Sequence, residues 1–134
     1  MIYILDASAI IAYLRGEPGA DAVSAILVDS GHLCLAHALN LCEVYYDFYR
    51  VNGETAARDA IHDMFALGVQ LRSDLSIEFW QKAGEIKGKL RRISLADCFA
   101  VALAQSVVGT VLTSDHHEFD SLAARGVCAV SFIR

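Results

Sequence analysis

The chain has 134 residues, enough for one domain whose single core needs no covalent staples. Its hydrophobic content of 55% and mean hydropathy of +0.41 exceed what one small core uses, so a buried self-interface or a partner groove is expected. A net charge of −5 argues against a nucleic-acid binder that works by a bulk positive field, but not against one whose local acids hold metal ions.

Residues 2–5 form a short apolar run of β type, followed at once by Asp6-Ala7-Ser8 and a helical pattern through Leu14. Strand, acid, helix is the opening of an α/β unit. Arg15-Gly16-Glu17-Pro18-Gly19 stops that helix, and a second amphipathic one carries Ala22, Val23, Ile26 and Leu27. Residues 32–36 read as a second strand, and a long helix from about 38 to 51 is closed by Asn52-Gly53. A further helix spans 54–67, a third strand 68–71, and another helix 75–90. From Leu95 to Val108 the chain reads as a helix apolar on nearly every side, with Asp97 its only charge, so it belongs in the middle of the molecule. Residues 110–113 are the fourth strand, 114–124 a loop and short helix, and 127–133 the last strand. Strands this apolar, alternating with helices, predict a three-layer α/β/α fold with a central, mainly parallel five-stranded sheet, as one domain over residues 1–134.

Cys34, Cys42, Cys98 and Cys128 are widely spread, without a C-x-x-C, and each sits in an apolar run. That pattern reads as small core residues in a reducing cytosol. The N-terminus lacks a basic region, Asp6 interrupts its apolar run, and Asp97 breaks the best candidate for a membrane span. A soluble, cytoplasmic protein is expected.

In doubly wound sheets ligands bind beyond the carboxyl ends of the strands, where strand order reverses. Asp6 ends the first strand and Asp115 follows the fourth, so the two share that crevice if the strands are neighbours. Asp97 starts its helix after another helix, which lets the chain turn back and bring Asp97 to the same end of the sheet. Glu43 shares a helical face with Leu39, Cys42 and Tyr46, while Leu41, Val44, Tyr45 and Phe48 line the opposite face. A helix apolar on both sides needs the sheet and another chain to pack on. Each acid also has a plainer explanation. Asp6 and Asp115 fit as helix caps, Ser94-x-x-Asp97 has the form of a capping box, and Glu43 fits as a snorkelling misfit. Four carboxylates in one pocket would repel one another, and oxygen-only ligation suits Mg²⁺ or Mn²⁺.

Leu5-Asp6-Ala7-Ser8-Ala9-Ile10-Ile11-Ala12, Leu39 to Glu43, Ser94-Leu95-Ala96-Asp97 and Leu112-Thr113-Ser114-Asp115-His116-His117-Glu118-Phe119, in this order and spacing, resemble the PIN-domain ribonucleases, and within them the VapC toxins of toxin–antitoxin pairs. The resemblance covers essentially the whole chain. It implies Asp6, Glu43, Asp97 and Asp115 as the acidic pocket that holds Mg²⁺ or Mn²⁺, cleavage of RNA, a homodimer, and neutralisation by a small VapB-type antitoxin. It also places Ser8 and Thr113 where a hydroxyl often lies near metal or phosphate. The second acid that many relatives carry after the Asp115 position is here Glu118, displaced by His116-His117.

Such acids support metal-assisted phosphodiester hydrolysis, with a second ion about 3.5 to 4 Å from the first stabilising the leaving oxygen. Lys82, Lys87, Lys89, Arg91 and Arg92 precede the acidic helix start and read either as phosphate contacts or as a solvated face balanced by Glu78 and Glu85. His116-His117 reads as a polar loop or a metal ligand pair. Two alternatives stay open: a receiver-like Mg²⁺-binding signalling domain with Asp74 as phosphoacceptor, and a catalytically inactive scaffold. A phosphatase of the Asp-x-Asp class is disfavoured by Ser8.

Overall fold

A computed structural model describes all residues, 1 to 134. The elements run β1 (Ile2–Leu5), α1 (Ala7–Arg15), α2 (Ala20–Val28), β2 (Leu33–His37), α3 (Ala38–Asn52), α4 (Glu54–Ala66), β3 (Gln70–Arg72), α5 (Ile77–Leu90), α6 (Leu95–Val107), β4 (Thr110–Thr113), α7 (His116–Ala124) and β5 (Ala129–Phe132). The strands lie in the order β3-β2-β1-β4-β5, and every neighbouring pair is parallel. Strand order therefore reverses between β1 and β4, where Leu5 stands opposite Leu112. The neighbourhood on which the Asp6–Asp115 reading depended is present.

Successive side chains of a strand point to opposite faces, and the core divides accordingly. Ile4, Leu35 and Val111 pack with Phe79, Ala83 and Ile86 of α5, with the run from Cys98 to Ala104 of α6, and with Phe119 and Leu122 of α7. Leu5, Cys34, Ala36 and Leu112 pack on the other face with α1, Val23 of α2, Leu41 and Val44 of α3, and Ala60 and Met64 of α4. The centre of the sheet is thus covered on both sides, which explains the apolar character of β1, β2 and β4, whereas edge strand β3, Gln70-Leu71-Arg72, is mostly exposed. Helix α6 is buried from Asp97 to Ala104, as its sequence implies.

Helix ends follow local chemistry. Gly16 closes α1 in the left-handed conformation, and the Ser76 and Ser94 hydroxyls cap α5 and α6. Gly19, at φ +98°, has no room for a side chain, since a Cβ there would lie 2.7 Å from Ile133 Cγ1 and 2.8 Å from its carbonyl oxygen. The third strand is shorter than expected and starts at Gln70, because Gly68, at φ +96°, still belongs to the end of α4. Helix α5 begins at Ile77 rather than 75 because Ser76 caps it, and β2 runs one residue further, to His37. Cys34 and Cys98 are buried, but Cys42 is exposed beside Tyr46 and Tyr49 on the outer side of α3, and all four cysteines are free. No helix is long and apolar enough to cross a membrane.

Candidate active site

Asp6 is the first residue beyond β1, and both neighbouring strands fix it. Its amide donates to Leu112 O (3.2 Å). Its Oδ1 accepts from the Ala9 amide (2.9 Å) and the Ser8 hydroxyl (2.7 Å), and its Oδ2 accepts from the Thr113 hydroxyl (2.5 Å). The same two hydroxyls accept the amides of Ser114 (to Ser8 Oγ, 3.0 Å) and Asp115 (to Thr113 Oγ1, 3.0 Å), so β1 and β4 share one polar seam at their carboxyl ends. Burial pushes the Asp6 carboxyl up to about 6; the three hydrogen bonds oppose that rise, and the nearby Asp115 charge adds to it.

Asp97 lies in the first turn of α6, where its amide donates to Ser94 Oγ (3.2 Å). Its carboxyl is buried and turned toward Glu118. Burial raises its pKa strongly, helped by the adjacent Glu118 carboxyl and by the charges of Asp6 and Glu43. Carboxylates crowded in this way repel one another, and a cation between them would relieve that repulsion. Asp115 caps α7, accepting the Glu118 amide on Oδ1 (3.0 Å). Asp97, Asp115 and Glu118 each place a carboxylate oxygen within 4.8 Å of the other two. Glu118 Oε2 is buried without a hydrogen-bond partner. Glu43, half-buried on α3, is raised by burial and by the charges of Asp6 and Glu118.

Of the four acids expected from the sequence, the structure brings Asp97 and Asp115 together with Glu118 into one acidic group, and the charges of Asp6 and Glu43 reach Asp97. Asp97 and Asp115 sit in its tightest part, whereas Asp6 and Glu43 act on it without belonging to the trio. Capping is real for Asp6 and Asp115, yet it uses one carboxylate oxygen of each. None of the eight ion pairs in the molecule reaches any of these acids. A cation would relieve the repulsion in a cluster of acids without a basic partner.

Glu118, which the sequence reading left displaced, completes the trio because Asp115 as cap and Glu118 three residues on share one side of the first turn of α7. Asn40 has no counterpart in the sequence reading. It is wholly buried and donates from Nδ2 to Ala96 O (3.3 Å), tying α3 to the residue before Asp97, while its Oδ1 has no partner. Its signal was an amide three residues before Glu43 in an otherwise apolar stretch. His116 is not arranged as a ligand: Nδ1 meets Asp120 Oδ1 (2.8 Å), Nε2 meets Arg134 O (2.7 Å), and the ring stacks on Phe132. Asp74 is held by Arg72 through two bonds (2.9 and 2.8 Å). It follows edge strand β3, with β2 between it and β1, which removes it from the acidic group and counts against a receiver-like reading.

The fold agrees with what known proteins offer for comparison. The family model described as PIN domain matches residues 3–125. No curated protein sequence matches the chain. Among solved structures, DNA-bound VapBC from Salmonella typhimurium superposes with TM-score 0.76 at 13% identity, covering 100% of this chain and 99% of that one. VapBC2 from Rickettsia felis, bound to a DNA fragment from its promoter, gives 0.74 at 16% identity with 98% of each chain covered. VapC20 of Mycobacterium tuberculosis, a Sarcin-Ricin loop cleaving toxin, gives 0.72 at 14% identity over 89% of this chain and 94% of that one. Identities this low speak for the fold alone. The match over residues 3–125, on a parallel sheet whose reversal point carries the acids, means that the chain belongs to the PIN domain family.

Proposed function

We propose that this chain is a Mg²⁺- or Mn²⁺-dependent endoribonuclease and the toxin of a VapBC-type toxin–antitoxin pair, working in the cytoplasm as a homodimer. The observation that carries this reading is the meeting of Asp97, Asp115 and Glu118 within 4.8 Å, coupled to Asp6 and Glu43, with no basic side chain among them. The donor set fits a hard divalent ion: carboxylate oxygens only, one of them buried without a partner. Asp97, Asp115 and Glu118 would hold the ion, with Asp6 and Glu43 adding negative charge beside it. When bound, a divalent ion supplies the charge that lets water attack phosphorus near neutral pH and that neutralises the phosphate oxygens. Ser8 and Thr113 keep the Asp6 carboxylate aimed across the seam. RNA as substrate is supported by the toxin from M. tuberculosis, and a VapB-type antitoxin as partner by the VapBC complexes, all of which share this fold.

The test is expression of the chain in bacteria beside Asp97→Asn, with sequencing of new RNA 5′ ends and cleavage assays of purified protein with Mg²⁺, Mn²⁺ and EDTA. The wild type generates new ends and arrests growth; Asp97→Asn lowers cleavage by at least about 10²-fold, the scale of losing a principal charge-stabilising group. The variant stays folded, because the cap of α6 is the Ser94 hydroxyl and not the Asp97 carboxylate. Unchanged toxicity and cleavage in Asp97→Asn would favour an inactive scaffold that acts by binding.

A further inference from the structure

The chain has eleven Lys and Arg, and their whereabouts are uneven. Six of them, Arg15, Arg50, Arg58, Arg72, Lys82 and Arg134, are in ion pairs. Lys87 donates to two backbone carbonyls, Arg91 O (3.0 Å) and Ile93 O (2.5 Å). The remaining four, Lys89, Arg91, Arg92 and Arg125, have no acidic partner, and all four line one cleft of about 390 Å³ that opens onto Glu118. In a protein of net charge −5, every Lys or Arg held neither by an acid nor by a backbone carbonyl thus lines one cleft, and Glu118 of the acidic trio lines it with them.

The cleft is a held arrangement. Lys87 pins the turn after α5 from below, and Arg91 stands at φ +46°, a conformation that a non-glycine residue keeps only when its surroundings enforce it. That turn presents Arg91 and Arg92 on one wall, and Arg125 at the end of α7 faces them from the other.

We infer that this cleft holds the phosphodiester backbone of the RNA strand as it leaves the acidic cluster, with Lys89, Arg91, Arg92 and Arg125 as its phosphate contacts; the inference rests on the ribonuclease reading above. A strand with one phosphate at the acids has its next phosphates within reach of these cations, and guanidinium forks match phosphate oxygens in pairs. Backbone contacts of this kind position the strand without reading its sequence. An acidic peptide lacks this continuity, since nothing in it needs a partner at the carboxylate cluster where the cleft begins.

The test compares wild type, Arg91→Gln/Arg92→Gln, and Arg50→Gln/Arg58→Gln, a control with the same change of net charge away from the cleft. Cleavage of a single-stranded RNA 12-mer is followed with Mg²⁺ between 50 and 200 mM salt, and thermal melts confirm folding. For the cleft variant, KM is expected to rise about tenfold, with a much smaller change in kcat. The slope of log kcat/KM against log salt should become shallower by about 1.4, close to 0.7 for each lost phosphate contact on a single strand. The control variant keeps the wild-type slope. Cleavage with unchanged KM and slope in the cleft variant overturns the inference and leaves the ribonuclease reading standing, as does an unchanged RNA KM with weakened binding of a poly-glutamate peptide. Absence of Mg²⁺- or Mn²⁺-dependent cleavage by the wild type removes both.

Discussion

Thr113 decides where the Asp6 carboxylate points, because its hydroxyl donates to Asp6 Oδ2 while accepting the Asp115 amide. The two acids are thereby set in one frame before any cation binds, and the metal-free protein bears the cost of holding them together. That cost depends on pH. In the unfolded chain Asp6 loses its proton near pH 4, but in the folded protein it keeps it to about 6. Between those values the folded state binds more protons, so stability falls as pH rises through the window and stays lower above it. At 1.36 kcal/mol per pH unit, Asp6 alone contributes a loss of about 3 kcal/mol, and Asp97 shifts in the same direction. Melting in EDTA is therefore expected to occur at lower temperature at pH 7 than at pH 5, and Mg²⁺ should raise the melting temperature more at pH 7. A metal-free protein equally stable at both values would contradict the coupling. Asp6, Asp97 and Asp115 were legible because an acid at a strand end or inside an apolar helix stands out from its neighbours. Glu118 was harder to read, although Asp115-x-x-Glu118 has the spacing of a cap and its third helical residue. Asn40 was not legible, since its task is a contact with Ala96, fifty-six residues further along the chain.

At the level of elements, the alternation of short apolar strands with amphipathic helices was readable, since the central strands β1, β2 and β4 are covered on two faces, while edge strand β3 stays largely exposed. What escaped were ends, where one hydroxyl or one glycine moves a boundary: Ser76 delays α5, and Gly68 delays β3. Two such ends are open to measurement. Gly19→Ala would place a methyl against Ile133 in a backbone conformation that already disfavours it, and a loss of roughly 1 to 3 kcal/mol is expected in urea unfolding. Val108 closes α6 at φ +53° while 92% exposed, a β-branched residue in the left-handed region with no contact to compensate. Val108→Gly should stabilise by about 1 kcal/mol, the left-handed penalty being relieved at some cost in chain entropy. Nothing in the structure explains why valine stands there.

For the molecule as a whole, the excess of apolar residues over one core is spread over several elements, from Val28 and Leu71 to Ile77 and Trp80, and one stretch of it lies along α3. Tyr46 and Tyr49 are 54% and 53% exposed along α3, next to Cys42, on the side away from Leu41 and Val44. If the chain pairs with itself through this face, light scattering will give twice the mass of 14.6 kDa, and Tyr46→Glu/Tyr49→Glu will give the single mass with the same helical spectrum. A dimer that survives that variant assigns the contact to another surface.

The acidic group draws on residues 6, 43, 97, 115 and 118, so its members come from widely separated parts of the sequence. During synthesis, Asp6 and Glu43 emerge long before the segment that carries Glu118. A chain made only as far as α6 therefore lacks Asp115 and Glu118, and the acidic group stays incomplete until α7 has followed.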